Sequence, residues 1–511
     1  MSEKNISGAT YVKAEAGYFE KRTLRRSAGF WGIWGLGVAA VISGEFSGWN
    51  LGVADAGFGG MTIATIIVIV MYFTMLFSIG EMSAALPHTG GAYSFARAAL
   101  GPWGGFITGL AESIEYVVTT AVVVFFAAQY ANGALEAFFN GFSISPYLMW
   151  AILYAAFVIV NALGAAVGFR LAIIVSVLAI AILAVFVIVA FATGSFSVDK
   201  LFDVKATAGN SAFLPHGFLP VLAVIPFAMW FFLGIEELPL AAEESHNPQR
   251  DIPRAGIFAL VTLLICAVVI FVVNTGVNGA TAIQKSGQPL LDGFALMVPK
   301  SLAGILAVFA LIGLLASLQG IMFAYGRNLY SLSRAGYYPK FLSVTGKRQT
   351  PVIALVLGAV IGYVLLVVVQ FTTDIGSSAA TVAGAIVLNI AIWGAVVAYI
   401  MQMISFIVLR RRYPNAKRPY LSPTGIPGAV IAGVIALVIF VAFLFSPGYQ
   451  IAIAAIAVVY IVGLLIFGFV SRHRLVLSPE EEFALSHGLH GNPQVEGYDE
   501  MEDEVFGSAS S

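Results

Sequence analysis

The sequence predicts an all-α protein that crosses a membrane many times, and its composition carries that prediction. Of its 511 residues, 59% are hydrophobic and only 10% are charged, and the mean hydropathy is +0.92. Soluble domains average about 25% charged residues. The composition therefore excludes an ordinary soluble enzyme, and the net charge of −1 excludes a nucleic-acid-binding protein. The single cysteine, Cys266, excludes an intramolecular disulfide.

Apolar segments long enough to span a bilayer recur along the whole chain. A spanning helix needs about 20 mostly apolar residues, and twelve segments meet that requirement. These segments are 28–57, 60–84, 101–133, 147–165, 169–193, 217–240, 255–278, 298–326, 351–371, 380–409, 425–446 and 450–470.

Basic residues are distributed unevenly between the connections. With both termini in the cytoplasm, 22 of the 26 Lys and Arg residues fall on the cytoplasmic side, and only Lys200, Lys205, Lys285 and Lys300 fall outside. Cytoplasmic loops are enriched in Lys and Arg, so this orientation is predicted, in a plasma (inner) membrane. Residues 1–27 are then a cytoplasmic tail, and the acidic segment 472–511 is predicted to be a disordered one.

Two segments are interrupted near their middle by residues that weaken helices. The first carries Gly and Ser between Gly37 and Gly48, and the sixth carries Gly234 and Pro239. Interrupted segments at corresponding places of two halves are typical of transporters, with the substrate site at the repeat interface. The spacing predicts two five-helix repeats, 28–195 and 217–409, with helices 1 and 6 broken at mid-membrane, followed by helices 11 and 12 in 425–470.

Five glutamates lie deep in these segments, without any Lys or Arg at that depth: Glu45, Glu112, Glu115, Glu236 and Glu237. A carboxylate near the bilayer centre costs at least ~2.5 kcal/mol, so it is a functional candidate by default. The uncompensated negative charge favours a cationic substrate or protons. The alternative is a protonated or hydrogen-bonded structural glutamate. Glu81, near a span end, is expected only to reach water or headgroups.

Other classes of function find little support. The chain has no HExxH motif, no nucleotide-binding GxxxxGK[ST] motif and no Ser/His/Asp set in its spans, so we expect neither an enzyme nor a primary pump, and no cofactor or metal. A channel or a receptor stays open on these grounds. The paired interruptions favour alternating access instead.

At the interruptions the sequence resembles the amino acid–polyamine–organocation (APC) transporter superfamily, over nearly the whole membrane region. The resemblance implies the five-plus-five inverted repeat also known as the LeuT-type fold. The matching motifs are Ser43-Gly44-Glu45-Phe46, Pro87 to Tyr93 with Gly101-Pro102, Phe232 to Glu236, Ala242 to Pro248 with Ile252-Pro253-Arg254, and Arg327 with Ser333-Arg334.

Within the superfamily the chain most resembles the ethanolamine permeases, through Ile42 to Asn50 and Glu112 to Tyr116. The resemblance implies substrate contacts at Ser43, Gly44 and Phe46 in span one, Ala111, Glu112 and Tyr116 in span three, and Trp230, Leu233 and Gly234 in span six. It also implies gating or proton response at Glu236. Glu45 is a further candidate for substrate binding, because its charge lies beside the first-span contacts. Glu112 and Glu115, one helical turn apart, are further candidates for proton coupling.

The chain departs from the family pattern in four ways. Ile42 replaces the first Gly of a Gly-Ser-Gly motif, and Glu45 replaces an aliphatic residue beside the amides that bind carboxylates in relatives. Ile321 lies where exchangers carry a gating Trp, and span five has no Lys that would substitute for sodium. We therefore expect import of a small cationic amine, ethanolamine first, either by uniport or with protons. The alternative is a proton-coupled or exchanging amino acid or polyamine carrier.

Overall fold

The computed structural model describes residues 3–6, 8–15, 17–139, 141–374, 380–414, 416–444 and 450–486. The first half contains helices α1 (Phe30–Val41), α2 (Ser43–Phe46), α3 (Val53–Ala85), α4 (Gly91–Phe138), α5 (Pro146–Ala162) and α6 (Ala165–Ala192). The second half contains α7 (Leu219–Met229), α8 (Pro248–Asn278), α9 (Ala280–Ile283), α10 (Pro289–Met297), α11 (Lys300–Arg334), α12 (Val352–Asp374) and α13 (Ala380–Arg412). Helices α14 (Gly425–Leu444), α15 (Gln450–Phe469) and α16 (Pro479–Leu485) complete the chain.

The helices confirm a polytopic, essentially all-α membrane protein. Over the described ranges, nine helices are long and apolar enough to cross a membrane, and three shorter apolar helices accompany them: Phe30–Phe46, Pro146–Ala162 and Leu219–Met229. Two of these three short helices belong to the segments predicted to be interrupted. Short 3-10 helices connect several elements, at Trp49–Gly52, Asp199–Phe202, Ile235–Glu244, Lys340–Ser343 and Ser471–His473.

The first apolar segment changes direction at its middle. Helix α1 ends at Val41, α2 adds a single turn, and Ser47 is extended before Gly48 adopts φ +99°. A Cβ on Gly48 would lie 2.6 Å from the Trp230 indole nitrogen, so a larger residue would meet both strain and a clash. The 3-10 turn Trp49–Gly52 then leads directly into α3, which is kinked at Gly57.

The sixth segment is interrupted in a similar way. Helix α7 ends at Met229, and Gly234 adopts a left-handed conformation with φ +103°. The ten-residue 3-10 helix Ile235–Glu244 follows, with Pro239 inside it. Because 3-10 helices are normally only three or four residues long, this length marks an unusual backbone at that depth.

Helices pack closely at the centre of the bundle, α13 on α4 and α11 on α1. A Cβ on Gly394 of α13 would lie 2.9 Å from the Glu115 amide nitrogen, and one on Gly320 of α11 would lie 2.6 Å from the backbone of Ala40. Glycine at such crossings lets helix backbones approach, which is how membrane helices gain packing energy without a hydrophobic driving force.

Buried ion pairs join the helices near one end of the bundle. Glu81 lies 2.5 Å from an Arg410 nitrogen and 3.1 Å from Arg418, and its side chain is only 2% exposed. The expectation that Glu81 merely reaches water is therefore wrong, because two arginines compensate its charge inside the protein. Arg327 pairs with Glu244 at 2.7 Å, and both side chains are fully enclosed.

The two ends of the described chain meet in a small sheet at this face. Strand β1 (Glu3–Ile6) pairs antiparallel with β2 (Ala9–Val12), and β2 pairs parallel with β3 (Leu475–Val476). The prediction of disorder for 472–511 is wrong for residues 475–486, which form β3 and the buried helix α16. Arginines neutralise two of its buried acids, Arg334 for Glu480 and Arg97 for Glu481, which composition alone does not reveal. Residues 487–511 of the predicted tail lie outside the described residues.

Substitution of Glu244 by Gln tests the structural importance of the Arg327 pair. The change leaves the Arg327 charge buried without a counter-charge, and breaking a buried pair in this way costs about 3–5 kcal/mol. We expect a clear fall in the thermal unfolding midpoint in detergent. Glu136→Gln, at the exposed end of α4, is the matched control and should leave the midpoint unchanged. An unchanged midpoint for Glu244→Gln would show that the pair does not stabilise the fold.

Candidate functional site

The two interruptions lie directly against each other. A Cβ on Gly44 would lie 2.5 Å from the Trp230 carbonyl oxygen and 3.0 Å from the Phe231 Cα, so only glycine permits this approach. The Trp230 indole donates a hydrogen bond of 2.9 Å to the Ser47 carbonyl. The predicted site residues of spans one and six are therefore brought together at one place in the bundle.

Side chains of neighbouring helices form hydrogen bonds with backbone amides and carbonyls at the first interruption. The Ser317 hydroxyl on α11 donates to the Ala39 carbonyl and accepts a hydrogen bond from the Ser43 amide, both at 2.8 Å. The Tyr130 hydroxyl on α4 donates to the Phe46 carbonyl at 2.7 Å. The backbone around Ser43 and Phe46 is thus held in place by α4 and α11.

Glu45 is fully buried in α2, and neither of its carboxylate oxygens has a hydrogen-bond donor among the described residues. Cys266 of α8 is close enough to be affected by the Glu45 charge, and no acidic side chain from the described ranges interacts with Glu45. The carboxylate is therefore an isolated buried charge, which is unfavourable unless a proton or a cation accompanies it.

By contrast, both carboxylate oxygens of Glu112, on α4, accept hydrogen bonds. Tyr116 donates a hydrogen bond to one oxygen and the Asn328 amide donates to the other, both at 3.1 Å. Asn328 is in turn held by a hydrogen bond of 2.7 Å from the Ser113 hydroxyl. This network joins α4 to α11 and fixes the orientation of the Glu112 carboxyl.

Glu115 and Glu236 form a carboxyl pair between α4 and the second interruption. Their side chains are in hydrogen-bond contact, and both interact with Tyr399 of α13, whose hydroxyl lies 3.4 Å from Glu115. The Gly234 amide donates to the second oxygen of Glu236 at 3.2 Å. Glu115 Oε2 and Glu236 Oε1 have no donor from the described part of the protein. A proton on one of the two carboxyls would supply that donor.

Glu237 adds two more carboxylate oxygens without donors, in the same buried region of the second interruption. Within the described ranges, no Lys or Arg lies within ion-pair distance of these core acids. The arrangement can hold a cation or exchange protons, and it opposes the entry of an uncompensated anion.

The remaining predicted residues lie around these groups. Ala111 is buried where α4 crosses α13, and a Cβ on Gly394 would lie 3.0 Å from its carbonyl oxygen. Leu233 is buried in the turn before Gly234, and its amide donates to the Met229 carbonyl at 3.0 Å. The charge of Glu112 interacts with Glu236, whereas that of Glu45 acts towards α8. Glu112, Glu115, Glu236 and Glu237 therefore form one interacting group, and Glu45 lies apart from it.

Sequence reasoning missed three polar residues that organise the site: Ser317, Asn328 and Tyr399. Asn328 follows directly on the motif residue Arg327, and a polar amide inside an apolar span is a signal that could have identified it. Tyr399 and Ser317 lie in apolar runs where a tyrosine or a serine is ordinary. Their roles become visible only from the packing of α11 and α13 against α4.

Comparison with known proteins gives a consistent result. The model of the amino acid permease family matches residues 32–475. The chain is 27% identical to an uncharacterized transporter of Rhizobium meliloti, over 87% of this chain and 91% of the relative. It is 26% identical to a branched-chain amino acid permease of Bacillus subtilis, over 88% and 94%, and 26% identical to a gamma-aminobutyric acid permease of the same species, over 66% and 71%.

The family match covers most of the chain and includes both interruptions and the five glutamates around them. The chain therefore belongs to the amino acid permease family, and it is a multi-pass membrane transporter rather than an enzyme.

Proposed function

We propose that this transporter imports a small organic amine, with ethanolamine as the first candidate, by alternating access between two five-helix units. In this proposal twelve helices span the plasma (inner) membrane, both termini are cytoplasmic, and the interrupted helices 1 and 6 hold the substrate. The observation that carries the proposal is the group of buried carboxylate oxygens without donors around the two interruptions. A cationic ammonium would supply the positive charge that these oxygens lack.

The substrate would lie where the interruptions meet. Backbone groups of Ser43, Gly44 and Phe46 would contact it from one side, and those of Trp230, Leu233 and Gly234 from the other. Ala111, Glu112 and Tyr116 on α4 would face it from a third side. Aromatic faces at Phe46, Tyr116 or Trp230 would add cation–π attraction to an ammonium group.

Glu45 favours an amine without a carboxylate. It follows Ser43 and Gly44 directly in the sequence, and the amides at these positions are the groups expected to bind a substrate carboxylate in relatives. In this chain the Ser43 amide donates instead to the Ser317 hydroxyl. Two like charges 4 Å apart repel by about 4 kcal/mol at an effective dielectric constant of about 20. The same charge attracts an ammonium. This proposal places the selectivity for amines at Glu45.

The second candidate is an amino acid or polyamine carrier, coupled to protons or working by exchange. The names of the relatives favour it, because the permeases of Bacillus subtilis are named for branched-chain amino acids and for gamma-aminobutyric acid. All of these substrates carry a carboxylate as well as an amine. Competition by serine distinguishes the two candidate functions, because serine is ethanolamine with an added α-carboxylate.

In proteoliposomes, we expect unlabelled ethanolamine to compete with labelled ethanolamine and equimolar serine to compete at least ten-fold less well. Glu45→Gln removes the charge at similar volume and should weaken ethanolamine uptake strongly, because the ammonium loses its counter-charge. Glu45→Ala should do the same and can gain weak serine uptake.

The control for that experiment is Glu136→Gln, which removes an acid from the exposed end of α4 and should leave both uptakes unchanged. Equal competition by serine and ethanolamine in the unmodified protein would contradict the amine proposal. It would favour the amino acid carrier instead.

The driving force has two candidate forms. A monovalent amine gains about 2.3 kcal/mol per 100 mV from an inside-negative potential, which corresponds to roughly fifty-fold accumulation by uniport alone. The Glu115 and Glu236 pair supports proton coupling, because a proton shared between them would change the charge of the site during the cycle. The Glu112 carboxyl interacts with both members of that pair and is a third candidate.

An imposed pH gradient with the membrane potential clamped at zero distinguishes uniport from proton symport. If the carboxyl pair couples protons to transport, ethanolamine should still accumulate in acid-outside vesicles under the clamp. Vesicles with equal pH on both sides serve as the control and should only equilibrate. Equilibration alone in both preparations would exclude coupling and leave uniport driven by the potential.

Substitution of Glu236 by Gln tests the carboxyl pair directly. The Gln amide donates permanently to Glu115 and imitates the protonated pair, so we expect a folded protein whose net uptake falls at least ten-fold. The thermal unfolding midpoint should stay within a few degrees of the unmodified protein. A well-folded variant with full uptake would remove Glu236 from the mechanism, whereas a parallel fall in stability would indicate a structural hydrogen bond.

A further inference from the structure

A cavity of about 360 Å³ lies at the face where the two ends of the described chain meet, and we call it the N-terminal basic cavity. It is bounded by the N-terminal segment from Val12 to Arg22 and by the connection after α11, at Lys340 and Val344. Its volume is within the range of about 300–1,000 Å³ that is typical of small-molecule sites. The charged side chains that line it are four bases and one acid: Lys13, Lys21, Arg22, Lys340 and Glu15.

Arg22 is built into the wall of this cavity through neutral acceptors. Its Nε donates to the Ser343 hydroxyl at 2.8 Å, and its terminal nitrogens donate to the carbonyls of Tyr18 and Lys340 at 2.9 and 3.0 Å. The guanidinium carbon also lies 3.7 Å from the centroid of the Tyr18 ring. These contacts use three of the five N–H donors of the guanidinium, so they fix its position without balancing its charge.

Lys340 contributes a second charge from the 3-10 helix after α11. Its amine lies 5.9 Å from the centroid of the same Tyr18 ring. Burial lowers the pKa of Lys340, and the charges of Arg474 and Arg22 lower it further, against the opposite effect of Glu15. Over the described ranges, neither Arg22 nor Lys340 has a carboxylate at ion-pair distance. These cations therefore repel one another, and a bound anion would remove that repulsion.

The charge of the cavity fits a phosphate group better than a carboxylate. A phosphomonoester carries about −1.5 to −2 charges at neutral pH and three strong acceptor oxygens, so it can balance more than one cation. Arg binds phosphate through adjacent donors, and Lys binds it as a point charge. Glu15 is exposed, so its carboxylate can stay in water while an anion occupies the cavity.

We propose that the N-terminal basic cavity is a binding site for a phosphomonoester anion, held by Arg22, Lys340 and Lys21. The bound anion would join the N-terminal segment to the connection after α11. A lipid headgroup such as that of phosphatidic acid offers this chemistry, and so does a soluble phosphate ester. The site does not depend on the proposed transport activity, and its test needs no transport measurement.

The test measures binding to the full chain, purified in detergent and phosphate-free buffer. The two probes share one headgroup: phosphatidic acid, followed by native mass spectrometry, and glycerol 3-phosphate, followed by calorimetry. We expect phosphatidic acid to bind at least ten-fold more tightly than phosphatidylcholine, whose headgroup is zwitterionic, or glycerol 3-phosphate to bind with one site per chain. Lys340→Gln removes a cation but keeps the carbonyl that Arg22 uses, and it should weaken the observed binding at least ten-fold.

Lys347→Gln is the matched control, because it removes an exposed lysine of the same connection outside the cavity and should leave binding unchanged. Lys21→Gln, at an exposed position in the cavity wall, is a second variant and should weaken the same binding at least three-fold. In the absence of either probe, the thermal unfolding midpoint of Lys340→Gln should equal or exceed that of the unmodified protein, because repulsion with Arg22 and Arg474 is lost.

The outcomes separate the two sources of phosphate. Binding of phosphatidic acid without glycerol 3-phosphate would identify a lipid headgroup, and binding of glycerol 3-phosphate would identify a soluble ester. The proposal would be overturned if glycerol 3-phosphate did not bind and phosphatidic acid bound no better than phosphatidylcholine. Equal weakening by Lys340→Gln and Lys347→Gln would also overturn it, because general attraction to a basic surface would then explain the binding.

Discussion

The accommodation of carboxylates inside an apolar helix bundle is the constraint on which the rest of this structure depends. An ion moved from water into such surroundings loses several kcal/mol of solvation, and only a close counter-charge or hydrogen bonds recover it. Near the face where the termini meet, arginines provide that compensation, as Arg410 does for Glu81 and Arg327 for Glu244. Around the two interruptions no basic side chain does so among the described residues. The charge deficit is therefore concentrated where the substrate of a transporter would bind.

The interruptions exist because small residues allow two backbones to meet at that depth. Gly44 lies against the carbonyl of Trp230, and Gly48 adopts a conformation that L-residues rarely tolerate. Helix ends leave amides and carbonyls without partners, and in a membrane these must be satisfied by protein or ligand. Ser317 satisfies two of them in the first interruption. The same opening that costs helix hydrogen bonds thus creates a site with polar groups in an apolar setting.

The sequence predicted a polytopic, all-α membrane protein, because long apolar runs are local signals. The mid-span Gly and Pro residues on which the prediction of broken helices rests are local signals as well. The sequence did not predict the partners of the buried charges, since these depend on contacts between distant residues. Glu480 and Arg334 are 146 positions apart, and the acidic composition around Glu480 is typical of a disordered tail. The carboxyl pair of Glu115 and Glu236 was likewise inaccessible, because periodicity places residues on a helix face but does not identify the facing helix.

The 3-10 helix Ile235–Glu244 connects the buried carboxyl pair with the ion pairs of Arg334. At a rise of about 2.0 Å per residue, its ten residues extend about 20 Å, which exceeds half the ~30 Å thickness of a bilayer's hydrocarbon core. Glu236 at one end belongs to the carboxyl pair, and Glu243 at the other end shares Arg334 with Glu480. A change of charge at the pair would alter the forces on one end of this element, whose other end is held by the Arg334 ion pair. The acids in the centre and the arginines at the face are therefore joined by one continuous backbone element.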